Sequence, residues 1–144
     1  MAHTALIALA ETAEDVGGGL NRLLEPVADA SAEIAALIAQ CFSVSAALRR
    51  LAEAVEEYEF HRRYAVVRLE IVNVRESLLY TFRDVKRLFG AGLGRGAILT
   101  GAQYRQLWRD LTDHFRAESG NTLERRLKIY QDCLRGLKCI LIEG

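Results

Sequence analysis

Gly92-Leu93-Gly94-Arg95-Gly96-Ala97 is the stretch of this chain whose residue types and spacing come nearest to a known chemistry, because it matches the GxGxxA fingerprint of dinucleotide sites. That fingerprint works where a strand feeds a helix N-terminus and backbone N–H groups close around a pyrophosphate. Here a helical pattern ending at Phe89 precedes it, and no Lys followed by Ser or Thr stands after the last glycine, as a phosphate-binding P-loop requires. The stretch reads as a linker, and no cofactor is expected.

The metal-ligating and nucleophilic residues are equally scattered. His3, His61 and His114 lie on separate segments, and Cys133 and Cys139, six apart, do not share a helix face. A metal needs several ligands converging at defined spacing, and a thiol nucleophile needs a base and an orienting group. Nothing in the spacing brings Cys133 to His114. Asp110, Asp113 and Glu118 alternate with Arg105, Arg109 and Arg116 as same-face pairs of a solvated helix. No catalytic residue and no metal site is expected.

Charge points the same way. Lys and Arg number 19, as do Asp and Glu, so the chain lacks the surplus of bases that phosphate neutralisation demands and is not expected to bind nucleic acid. Residues 1–60 hold ten acids and three bases, whereas residues 61–144 hold nine acids and sixteen bases. Either opposite charges meet between packed helices and set their register, or a basic surface is left for an anionic partner. The clusters Arg62-Arg63, Arg83-Lys86-Arg87 and Arg125-Arg126-Lys128 carry much of that basic half.

The elements that would position these residues are helices. Val27, Ala30, Ile34, Leu37, Cys41, Val44, Leu48, Leu51, Val55 and Tyr58 recur at alternating steps of three and four, one apolar seam of about five heptads. At about 1.5 Å per residue this helix runs roughly 48 Å, so its partners must also be long. Pro26 fits the first turn, where its missing N–H is no loss. Phe60, Tyr64, Val67, Ile71, Val74, Leu78, Thr81, Val85 and Leu88 make a second seam out of phase with the first, which implies a turn near Glu57 to Arg63.

A shorter helix over about residues 3 to 24 carries Leu6, Leu9, Ala13, Val16, Leu20 and Leu23, and should bend, fray or end at Gly17-Gly18-Gly19. Thr100 with Gln103 forms a capping box for a fourth helix, whose face is Tyr104, Leu107, Trp108, Leu111 and Phe115. Asn121 with Glu124 is a second capping signal, opening a helix through Leu123, Leu127, Tyr130, Leu134, Leu137 and Leu141. With 51% hydrophobic residues and one proline, residues 1–144 are expected to be a single all-α domain, an antiparallel bundle of four to five helices with one unusually long helix.

Three cysteines without a pairing pattern read as reduced thiols, and the apolar run Ala5–Ala10 is too short for a membrane span, so a cytoplasmic protein is expected. The runs Glu76-Ser77-Leu78-Leu79-Tyr80-Thr81-Phe82-Arg83-Asp84-Val85-Lys86-Arg87-Leu88-Phe89-Gly90, Tyr104-Arg105-Gln106-Leu107-Trp108 and Leu123-Glu124-Arg125-Arg126-Leu127-Lys128-Ile129-Tyr130 resemble the helical amino-terminal domains of filamentous-fungal proteins. That broad group includes the HeLo-like cell-death domains. The resemblance implies a helical interaction or signalling domain with no catalytic residues.

The expected function is therefore non-enzymatic protein–protein contact, with a second copy in a homodimer as the expected partner, through the seam of Val27, Ile34, Leu37, Val44, Leu48 and Leu51. The runner-up is a HeLo-like domain peripheral at a membrane, which it would meet through Leu6, Ile7 and Leu9 together with Arg62, Arg63, Arg125 and Arg126. An enzyme with an unrecognised pocket is third.

Overall fold

Five helices account for nearly all of the computed structural model, which describes residues 2–90, 99–120 and 122–143. They are α1 (Ala2–Asn21), α2 (Ser31–Tyr58), α3 (Arg62–Phe89), α4 (Gly101–Ser119) and α5 (Leu123–Glu143). No strand occurs among the described residues, so the chain is an all-α bundle.

Cross-helix contacts set the directions. Arg49 and Ser45 of α2 both bind Glu14 of α1, and Phe42 lies on Gly17, so α1 and α2 run antiparallel. Arg63 at the start of α3 donates to the Ile142 carbonyl at the end of α5, 2.7 Å, which makes that pair antiparallel too. Gln40 of α2 donates to Gln131 of α5, and Asp15 of α1 pairs with Lys86 of α3, so the two hairpin-like pairs lie side by side with α2 along α5 and α1 along α3. The apolar seams meet inside, with Leu20, Ile34, Leu48, Leu78, Phe82, Leu127 and Leu134 sealed from solvent. α4 crosses the end where α3 finishes and α2 and α5 begin. Its Leu111 and Phe115 close the core there.

The glycine triplet neither bends nor ends α1, which continues through Gly17, Gly18 and Gly19 to Asn21. Val16 and Leu20 on either side of it are buried, and that burial outweighs the ~1 kcal/mol per glycine of lost helix propensity. Pro26 likewise does not sit in the first turn of α2. Residues Leu23 and Val27 must both reach the core at this corner, so the chain winds through hydrogen-bonded turns (Val27 N–H to Leu23 O, 3.0 Å) and a 3-10 turn at Ala28–Ala30 before α2 starts at Ser31.

The turn between the two long seams exists, and its device is a cap rather than Gly or Pro. His61 has extended backbone, and its Nδ1 accepts from the Arg63 N–H at 3.2 Å. Phe60, expected in the second seam, instead projects from the turn at 96% exposure, because residues before the cap are no longer in register with α3. The capping box of Thr100 and Gln103 is formed in both directions, and Gly120 closes α4 with φ +72°. Asn121 lies outside the described residues. Thr122 caps α5 by accepting from the Arg125 N–H at 3.2 Å.

Together with its 3-10 entry, α2 spans Ala28–Tyr58, long and apolar enough by length and composition to cross a membrane. The burial of Ile34, Leu37, Cys41, Val44, Leu48 and Leu51 in the bundle accounts for the same composition.

Candidate functional site

The densest polar constellation is one that no sequence spacing marks. His114 of α4 turns Nε2 to Asp84 Oδ2 of α3, 2.8 Å away, and to Glu118 Oε2, one turn along α4, at 3.1 Å. Each carboxylate holds a guanidinium with its other oxygen, Arg87 at 2.7 Å on Asp84 and Arg126 of α5 at 2.9 Å on Glu118. Arg126 also lies over the Phe115 ring, 5.4 Å from its centre, and the His114 ring meets Phe115 edge-on.

Helix geometry explains the convergence. His114 and Glu118 are four apart and share a face, and Phe115 beside them plugs the core, so the buried ring fixes where the polar pair points. Burial of Asp84 opposes its ionisation. The His114 hydrogen bond and the Arg87 charge outweigh it and hold the carboxyl below its ordinary value. Arg126 is also partly desolvated, yet Glu118 and Tyr130 keep its guanidinium more firmly protonated than usual.

One ligand atom from each of Asp84, His114 and Glu118 lies within 4.8 Å of the others, the spacing of a metal trio. Two guanidiniums already occupy the remaining carboxylate oxygens, so a divalent ion would enter beside two fixed positive charges. Nε2 of His114 is taken by the two carboxylates. The arrangement is suited to fastening α4 to α3 and α5. Glu118, expected on a solvated face, is part of this fastening because Arg126 reaches it from the next helix.

A cavity of about 250 Å³ opens beside it, where α4 meets the starts of α2 and α5, walled by Leu37, Trp108 and Leu111 with Glu33, Arg116 and Glu124. It is smaller than the ~300–1,000 Å³ of small-molecule sites. Thr112 and Thr122 line it as well, their hydroxyls engaged with the Trp108 carbonyl and the Arg125 N–H.

The residues singled out from the sequence are dispersed. Val27, Ile34, Leu37, Val44, Leu48 and Leu51 are core, at most 3% exposed, packed on this chain's own helices. Leu6 and Leu9 are buried as well, and Ile7 is half-buried, so among the described residues these three side chains are turned largely into the bundle. Arg62 and Arg63 stand at the start of α3, while Arg125 and Arg126 stand at the start of its antiparallel neighbour α5, some twenty residues or ~30 Å away along the bundle. The structure does not join them into one surface, because antiparallel packing puts two helix starts at opposite ends. Arg63 and Arg126 are further committed to Ile142 O and Glu118. The GxGxxA stretch lies outside the described residues.

Cys41 is sealed in the core, where burial pushes its thiol up to about 12, whereas Cys133 and Cys139 are exposed and unpaired. The charge asymmetry of the chain becomes spatial: Glu11, Glu53, Glu56 and Glu57 are exposed on α1 and α2, and Arg62, Arg83, Arg125 and Arg135 on α3 and α5.

No family model, no curated protein and no solved structure matches this chain.

Proposed function

We propose that this chain is a non-enzymatic helical interaction domain that works by protein–protein contact. The observation that carries the reading is where apolar side chains remain outside. The core seams are satisfied within the chain, yet Val66, Leu69 and Tyr80 of α3 and Ile129 and Ile140 of α5 stay exposed, concentrated on one pair of neighbouring helices. An apolar surface gathered on one side of a bundle suits a partner better than it suits water. The polar cluster at Asp84, His114 and Glu118 supports the frame by fastening α4 to its neighbours.

The test is a photo-activated cross-linking side chain placed at Leu69 of the full chain, in cells that express it, with sedimentation against anionic vesicles alongside. The interaction reading expects a discrete cross-linked protein species and protein that stays in the supernatant at every salt concentration. Pelleting with vesicles that is lost at high salt, without any cross-linked protein, would replace it with the membrane reading, in which α1 leaves the bundle.

A further inference from the structure

We propose that the groove between α3 and α5 receives an acidic amphipathic helix of another protein. On α3, Val66, Leu69, Asn73 and Tyr80 follow one another at steps of three, four and seven and so form one strip along the helix. On α5, Ile129, Cys133, Gly136 and Ile140 do the same at steps of four, three and four. The flank of α3 carrying Arg75 and Leu79 is turned to Ala5, Ala8 and Thr12 of α1, and the flank of α5 carrying Gln131 is turned to Gln40 of α2. The two strips therefore border the same outer groove.

The Arg63–Ile142 bond sets the level of one helix on the other, which brings Val66 to about the level of Ile140 and leaves Tyr80 and Ile129 about one helical turn apart along the bundle. Exposure of these side chains is high, 70% for Val66, 68% for Leu69, 60% for Tyr80, 47% for Ile129 and 49% for Ile140. Gly136 in the middle of α5 has open space where a Cβ would stand. A glycine there costs ~1 kcal/mol of helix propensity and lets a neighbouring backbone approach closely.

Charge selects the occupant. α3 and α5 together carry twelve Lys and Arg against six Asp and Glu, with Arg62, Arg83 and Arg125 exposed along the outer flanks. Of the acids there, Glu76 and Asp132 are paired with Arg75 and Lys128, while Glu70 and Glu143 stand exposed as a minority among the bases. A second copy applied through this face would set these bases against their own counterparts, and the acidic face of α1 and α2 offers an exposed anchor in Phe42 alone among the large apolar residues described there. An acidic helix with an apolar strip satisfies both the groove and its rim, the mode by which helices bind in grooves through anchors at i, i+3, i+4 and i+7. The 21 residues of α5 give a groove of about 30 Å, room for a helix of about 20 residues.

This inference rests on the interaction-domain reading. The probe is a synthetic, fluorescently labelled helical peptide of that length with Leu at the anchor positions and Glu on both flanks, compared by anisotropy with the same peptide carrying Lys for Glu. Binding of the acidic peptide alone is expected, weakening as salt rises, at least tenfold weaker for Leu69→Asp/Ile140→Asp and for Arg62→Glu/Arg125→Glu, and unchanged for Phe42→Asp. The charge-swap variant leaves every apolar contact in place, so its loss of binding is not a loss of folding. Equal binding of the lysine peptide, indifference to both double variants, or a concentration-dependent dimer abolished by Leu69→Asp/Ile140→Asp would overturn the assignment, the last by giving the groove to a second copy. If the acidic peptide fails while the Leu69 cross-linked protein persists, the partner chemistry is wrong and the interaction reading stands. Absence of both sinks both.

Discussion

Gly17 of α1 lies against the ring of Phe42 in α2 so closely that a Cβ built at position 17 would stand 2.9 Å from Phe42 Cε2. The glycine triplet is thus three different positions. Gly18 has nothing within 4 Å, and at Gly19 a Cβ would meet Phe89 at an ordinary 3.6 Å. Gly18→Ala should stabilise by about 1 kcal/mol, the difference in helix propensity, raising Tm by roughly 3–4 °C. Gly17→Ala should gain less or nothing, because the ring must move. In a Phe42→Ala background the gain at position 17 should return, and thermal melts of Gly18→Ala, Gly17→Ala, Phe42→Ala and Gly17→Ala/Phe42→Ala check the set.

The fastening of α4 gives a second expectation. Replacing His114 by Ala leaves one oxygen of the buried Asp84 without its partner and should cost about 1–3 kcal/mol. Hydrogen exchange should accelerate in α4 before it does in α2. In a double-mutant cycle with Asp84→Asn the two losses should be less than additive, and strict additivity would show that the pair is not coupled.

Stability at low pH should depend on Glu14 in α1. A hydrogen bond from Ser45 and then those from Arg49 hold this carboxyl below its ordinary value; burial opposes them less strongly, and the Arg49 charge adds a still smaller lowering. A carboxyl lowered in the folded state contributes stability above its unfolded value of about 4.3, and that contribution is lost as pH falls through the folded one. Melts from pH 6 to pH 3 should therefore show a larger drop in Tm for the parent chain than for Glu14→Gln. Asp84 is lowered as well and adds a shared slope to both. A variant with an unchanged slope would mean that Glu14 and Arg49 do not hold each other in solution.

Replacing core seam residues should unfold the chain. Leu48→Ala should cost about 2–5 kcal/mol and Leu37→Asp should abolish cooperative melting, since both side chains are packed within one chain. Circular dichroism distinguishes this from a clean dissociation. Folded monomers of Leu37→Asp would show that the seam belongs to an interface between copies.

Much of the architecture was legible before any coordinates. Local periodicity is written in neighbouring residues, so the seams from Val27 to Tyr58, Phe60 to Leu88 and Leu123 to Leu141 announced long helices, with Phe60 falling outside α3, and the Thr100–Gln103 box announced the start of α4. Misreadings fell where a distant contact overrode a local propensity: burial of Val16 and Leu20 carries α1 through its glycines, and the joint demand of Leu23 and Val27 moves the start of α2 past Pro26.

The spacing of apolar residues determined that this chain is helical, which faces of its helices are apolar, and that its acids and bases are segregated along it. Which seams are core, which strips stay exposed and which charges meet was decided by packing. Asp84 and His114 are thirty residues apart and share no motif, and only the crossing of α4 over α3 brings them to 2.8 Å. In the same way the groove of Val66, Leu69, Tyr80, Ile129 and Ile140 exists because α3 and α5 run antiparallel, a relation between elements that no local pattern encodes.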